Sequence, residues 1–268
     1  MRASYLQFAP SYLAPDRNRD RVAELIQGVN TDLLVLPELF TSGYFFASPD
    51  DLAALAEPIP DGATTEALTH WAADIGATIV AGLPERDGDT MYNSAVTVTP
   101  EGAVHVYRKV HLFYQENELF SPGDVGFPVW EVSTRGGTSY RLGVMVCFDW
   151  YFPEAARSLA LNGADVIAHP SNLVLPYCPD SMPVRARENH VFTVTANRTG
   201  AEQRGEETLR FIGNSEICDP DGTILQRASE ADEEVGTVSF DPTAARDRHI
   251  NRYNDVFADR RPEAYTLS

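Results

Sequence analysis

Apolar and polar positions along this chain alternate in short blocks of two kinds. Mostly apolar runs at 4–8, 33–36, 78–83, 141–146, 164–168 and 191–196 have the length and aliphatic content of buried strands. Between them lie stretches with helical spacing. In 16–27, Val22, Leu25 and Ile26 share one face and Gly28 follows as a stop. In 65–75, Leu68, Trp71 and Ala72 face inward in the same way, and 153–161 opens with Pro153 and is followed by Gly163. Residues 182–189 read as a further helix. Residues 93–98 and 104–107 flank Pro100, Glu101 and Gly102 and read as a hairpin, and two later strands flank Asp221 and Gly222. Repeated alternation of this sort predicts an α/β chain whose sheet is largely buried under helices. Glycines and prolines fall singly between the blocks, with no linker and no repeat, so a single domain over 1–268 is expected.

Composition narrows the partners. With 268 residues and 43% hydrophobic content the chain can bury a large core. A net charge of −18 opposes nucleic acid and anionic membrane surfaces, which call for cationic patches. Such an acidic, arginine-rich composition fits a salt-rich cytoplasm and a GC-rich genome alike. No apolar run is long enough to cross a bilayer, and the first ten residues lack the apolar core of a secretory signal, so a cytoplasmic protein is expected. Cys147, Cys178 and Cys218 form no CxxC pair and are expected as free thiols.

One imbalance points to chemistry. Of the 21 basic residues only Lys109 is a lysine. An ammonium is a compact charge with three separately aimed protons, whereas guanidinium is a broad planar fork, so a lone lysine marks a place where arginine will not serve. Lys109 follows the 104–107 strand, Glu38 follows the 33–36 strand, and Cys147 falls in the bend between a strand and a helix. All three are places where α/β sheets build active sites. The helix after Cys147 offers backbone N–H groups and a positive dipole end, which are expected to lower the thiol pKa and cradle an oxyanion. No histidine stands in a metal-binding or base motif; His111 and His169 remain as groups that could line a pocket. Cys178 and Cys218 read as buried core residues.

The stretches around these residues are LVLPELFTSGY (34–44), YRKVHLF (107–113) and GVMVCFDWYFPEAAR (143–157), with FSPGD (120–124), HPSNLVLP (169–176) and RARENHVF through NRTG (185–200) in support. In this order they resemble the nitrilase superfamily of carbon–nitrogen hydrolases over nearly the whole chain. The resemblance implies a four-layer α-β-β-α sandwich, with Glu38 as general base, Cys147 as nucleophile and Lys109 as cationic support for the tetrahedral intermediate. It also implies a second glutamate after the lysine. Glu116 fits the spacing to FSPGD better, with Glu118 as the alternative. The implied cycle has Cys147 attack an amide carbonyl, the oxyanion meeting Lys109 and the backbone N–H of Phe148, with no metal and no organic cofactor.

Within the family a small aliphatic amide is the first expectation for the substrate, because CFDW and a chain of 268 residues differ from the CWE pattern and longer tail of true nitrilases. Nitriles come second and N-carbamoyl compounds third; a catalytically silent ligand-binding member is the reading outside enzymology. Tyr44, Phe45, Phe113, Tyr114, Trp150, Tyr151, Asn172 and Leu173 flank the proposed catalytic residues in sequence and are candidates for the substrate pocket. The tail over about 245–268 resembles the family segment that reaches across a subunit interface, so a homodimer or larger homo-oligomer is expected.

Overall fold

Side-chain alternation along the strands decides how the layers stack. A computed structural model describes residues 1–266. The first half of the chain forms β1 (Arg2–Gln7), α1 (Pro15–Leu25), β2 (Leu33–Val35), α2 (Pro49–Leu55), α3 (Ala63–Ile75), β3 (Thr78–Asp87), β4 (Thr90–Val98), β5 (Val104–Arg108) and α4 (Glu116–Leu119). Next come β6 (Val129–Ser133), β7 (Ser139–Val144), a 3-10 turn at Cys147–Tyr151, α5 (Pro153–Leu161), β8 (Val166–Pro170), α6 (Cys178–Asn189) and β9 (Phe192–Ala196). The chain then forms β10 (Ala201–Arg204), β11 (Glu207–Arg210), β12 (Glu216–Cys218), β13 (Ile224–Arg227), β14 (Glu234–Ser239) and the short pair β15 (His249–Asn251) and β16 (Asn254–Asp255).

Two six-stranded sheets result, in the orders β14-β1-β2-β3-β4-β5 and β13-β12-β9-β8-β7-β6. Their centres are parallel, β1 with β2 with β3 and β7 with β8 with β9, and their flanks antiparallel. On the first sheet Ala3, Tyr5, Leu33, Val35, Val80 and Tyr107 share one apolar cluster with Tyr140, Leu142 and Val144 of the second. Their neighbours Leu6, Leu34, Ile79, Ala81 and Val96 point the other way, onto Val22 and Ile26 of α1 and Leu68 and Trp71 of α3. A period of two thus gives every central strand two buried faces. α5 and α6 cover the second sheet through Ala156, Leu159 and Met182. The stack is the α-β-β-α sandwich implied by the resemblance.

Several elements differ from the sequence reading. β3 continues through Pro84 to Asp87 instead of ending at 83. Beyond Val80 it has no β2 neighbour, so the proline's missing N–H leaves no ladder bond unmade on that side. α6 starts at Cys178 rather than 182, with Pro179 in the first turn, where a missing donor costs nothing. α2, β6, the β10–β11 hairpin and β14 were not anticipated. β14 closes the first sheet from far along the chain, and Gly236 sits opposite Tyr5, where a Cβ would run into the Tyr5 ring.

Candidate active site

Three segments of the first sheet meet behind its C-terminal edge. After β2 the chain runs on beside β3, with Leu36 N donating to Val80 O at 2.8 Å and Phe40 N to Gly82 O at 3.0 Å. Glu38 is thereby pressed against β3, where a Cβ on Gly82 would lie 2.5 Å from the Glu38 Cα, so only glycine admits this approach. Lys109 extends β5 by one residue, its N–H donating to Asn93 O at 2.8 Å and its carbonyl accepting from Gly123 N at 2.8 Å. Glu116 opens α4.

The side chains converge out of water. Glu38 is 0% exposed, Lys109 1% and Glu116 4%. The Lys109 Nζ donates to Glu38 Oε1 at 2.7 Å and to Glu116 Oε1 at 2.8 Å. Asn93 Nδ2 donates to the same Glu38 oxygen at 2.7 Å, and the Tyr44 hydroxyl donates to Glu116 Oε1 at 2.7 Å. Glu38 Oε2 is buried without a partner. One carboxylate oxygen is therefore fixed by two donors and the other is left for chemistry. An ammonium has three protons, two are used here, and the third is available to an oxyanion.

Cys147 begins the 3-10 turn after β7 with φ of +42°, a left-handed conformation that costs a non-glycine residue and persists only where its surroundings impose it. Two buried side chains impose it. Asp149 Oδ2 accepts from Val146 N at 2.8 Å and from the Tyr107 hydroxyl at 2.6 Å, and Asp149 Oδ1 accepts from His111 N at 3.1 Å and bonds His111 Nδ1 at 2.8 Å. Because Tyr107 and His111 bracket Lys109, Asp149 ties the cysteine's turn to the lysine's strand. His169, at the end of β8, holds the Cys147 carbonyl through Nε2 at 2.9 Å, while its Nδ1 lies 3.1 Å from Thr195 Oγ1. This pattern fits a neutral imidazole with its proton on Nε2 and the threonine hydroxyl donating to Nδ1.

The electrostatics correct one expectation. Burial, and then the charge of Glu38, push the Cys147 thiol well above its ordinary pKa, with Lys109 opposing them. The helical N–H groups do not win, because Cys147 is 5% exposed and desolvation outweighs them. A thiol whose pKa is raised in this way depends on a base to attack. Burial pulls the Lys109 ammonium down, but Glu116 and Glu38 outweigh it and hold its pKa above the usual lysine value. Burial raises the Glu116 carboxyl against the pull of Lys109. Burial lowers His169 to about 4.

A narrow cleft opens over Cys147 and is lined by Phe113, Phe148, Trp150, Asn172, Leu173, Val174 and Leu175. Of the residues anticipated for the pocket, Phe113, Phe148, Trp150, Asn172 and Leu173 lie here. Tyr44 stands behind the carboxylates on Glu116. Tyr114 is 49% exposed, with its hydroxyl on Glu207 at 2.7 Å, and lies outside this cleft; Tyr151 is also exposed, and Phe45 is buried under Arg204. Glu118 is exposed and makes no contact with Lys109.

Asn93, Asp149, Val174 and Leu175 were missed as site residues, whereas His169, anticipated as a pocket-lining group, instead holds the Cys147 carbonyl from behind. The available signal for the first two was a polar side chain inside an apolar strand and an acid in an aromatic run. Cys178 and Cys218 are buried free thiols. Among the described residues no group of three or more His, Cys, Asp or Glu side chains is placed to hold a metal.

Known proteins are similar to this chain in sequence and in fold. The carbon–nitrogen hydrolase family pattern matches residues 2–249. A protein named nitrilase from Pyrococcus abyssi is 49% identical over 268 residues, covering 99% of both chains. An (R)-stereoselective amidase from Pseudomonas is 38% identical over 235 residues, covering 87% of this chain and 80% of the relative. Among solved structures, XC1258 from Xanthomonas campestris, described as a CN-hydrolase superfamily protein with an arsenic adduct in the active site, superposes with a TM-score of 0.78 at 27% identity over 92% of each chain.

Proposed function

This chain belongs to the carbon–nitrogen hydrolase family, and we propose that it hydrolyses a small, uncharged aliphatic amide to a carboxylate and ammonia through a thioester on Cys147. The observation that carries the reading is the Lys109 ammonium held 2.7 Å from Glu38 and 2.8 Å from Glu116 beside the strained cysteine turn. Glu38 Oε2 takes the thiol proton as sulfur attacks the carbonyl carbon. The oxyanion is met by the third Lys109 proton and the Phe148 N–H. Glu38 then passes its proton to the leaving nitrogen, ammonia departs, and Glu38 draws a proton from the water that cleaves the thioester and returns it to the departing Cys147 sulfur. Glu116, steadied by Tyr44, aims Lys109 and faces the substrate nitrogen.

Apart from Glu38, Lys109 and Glu116, which act on the reacting group, no charged side chain lines the cleft among the described residues. A charged acyl tail would therefore be buried without a counter-ion, which disfavours it. Nitrile hydrolysis is the second reading, favoured by the 49% identity to the Pyrococcus protein named nitrilase; N-carbamoyl compounds stand third. Ammonia release measured over matched aliphatic amides, nitriles and carbamoyl amino acids separates them, and activity confined to nitriles would overturn the amide assignment. A cytoplasmic location is part of the proposal, supported by three buried free thiols that a reducing compartment keeps reduced. Assembly into a homodimer or larger homo-oligomer through the tail is likewise proposed, supported by Ile250 and Tyr253, which stand 72% and 73% exposed.

A further inference from the structure

Asn172 is 3% exposed, lines the cleft over Cys147, and has neither Oδ1 nor Nδ2 hydrogen-bonded to any protein group. Since both atoms are unpartnered, this holds whichever end of the amide is nitrogen. The residue is not loosely placed. Ser171 N donates to Ala196 O at 2.9 Å, Leu173 N to Asn197 Oδ1 at 2.8 Å, and Ile212 N to Leu173 O at 3.0 Å, so the backbone on both sides of Asn172 is pinned. A buried carboxamide with both ends vacant is costly unless something arrives to pair with it.

The reacting amide leaves this group free. Its carbonyl oxygen belongs to Lys109 and the Phe148 N–H, and its nitrogen to Glu38 and Glu116, so Asn172 faces the acyl chain. A planar donor and acceptor side by side are matched by another planar donor and acceptor. A carboxylate offers no donor, an ammonium offers no acceptor, and beyond Lys109, Glu38 and Glu116, which are taken up by the reacting amide, no counter-charge lines the cleft for either. We propose that Asn172 is the specificity-determining residue of the acyl pocket and that it selects short diamides, substrates whose acyl chain ends in a second uncharged carboxamide. The inference rests on the amide reading above and adds the nature of the acyl group to it.

The test compares succinamide with 4-methylpentanamide, and malonamide with 3-methylbutanamide, pairs of equal shape in which the second carboxamide is replaced by an isopropyl group. The expected result is a kcat/KM for each diamide about 10- to 100-fold above its partner, because the alkyl chain leaves the Asn172 amide unpaired. In Asn172→Leu the ratio should fall to about one or below. Equal kcat/KM for the two members of both pairs in the wild-type enzyme overturns the role of Asn172 while leaving the amide reading intact. Hydrolysis of none of the four overturns both. The wild-type ratio decides the matter even if the variant fails to fold.

Discussion

Adjacent residues show why this chain keeps a single lysine. Arg108 faces away from the site and spreads its guanidinium over Glu85, Asp87 and Asp124, with Nη2 2.6 Å from Glu85 Oε1 and the group stacked on Tyr92. Lys109, one residue on, must place three protons in three directions inside a space shut off from water. Lys109→Arg is expected to lower kcat/KM at least about 100-fold while the circular dichroism spectrum stays native; near-normal turnover would refute the assignment. Glu116→Gln should cost a similar factor and Glu118→Gln less than about twofold, measured in the same assay. The importance of lysine and cysteine was legible because each residue type is rare in this sequence and each sits at a strand end. Asn93 was not, because its meaning lies in Glu38, 55 positions away, whose oxygen it fixes. Asn93→Ala should lower kcat by about tenfold or more with KM within threefold, since it releases the base without touching the acyl pocket.

At the scale of elements, the order strand, cysteine, helix was readable, and so was a bend at Cys147. The state of the thiol was not, since desolvation depends on what two sheets and α6 pack around it, and that is a tertiary property. Clamping of the turn by Asp149 and His169 was invisible for the same reason. His169 carries a consequence for pH. Its folded pKa of about 4 lies below the ordinary 6.5, so below pH 6.5 the unfolded chain takes up a proton that the folded chain refuses. The associated stability is present above pH 6.5 and is lost as pH falls toward 4, up to about 3 kcal/mol in all. Urea unfolding of wild type and His169→Gln between pH 4 and 7 checks this: the variant's stability should fall less steeply with acid, and parallel curves would refute it. Asp149→Asn places donors opposite donors in a dry turn and should cost at least about 3 kcal/mol by the same measurement.

For the molecule as a whole, the layered α/β class followed from the apolar periodicity, and the family resemblance supplied the pairing of two sheets. Closure of the first sheet by β14 was not readable, because its pairing with β1 joins opposite ends of the sequence and leaves no local mark. The tail lies against its own α5, with Arg157 over the Phe257 ring at 5.1 Å, yet turns Ile250 and Tyr253 outward. Sedimentation equilibrium is expected to give the mass of a dimer or larger assembly, with Tyr253→Glu shifting it toward monomer; a wild-type monomer would refute the tail's role in assembly. The solitary buried ammonium has a further, practical consequence. An exterior free of lysine gives amine-directed labels and crosslinkers almost nothing to grip. Lysyl endopeptidase has one bond to cut, after Lys109, whose side chain is buried and whose N–H and carbonyl are both hydrogen-bonded, so its cleavage rate becomes a direct clock for local opening around this lysine.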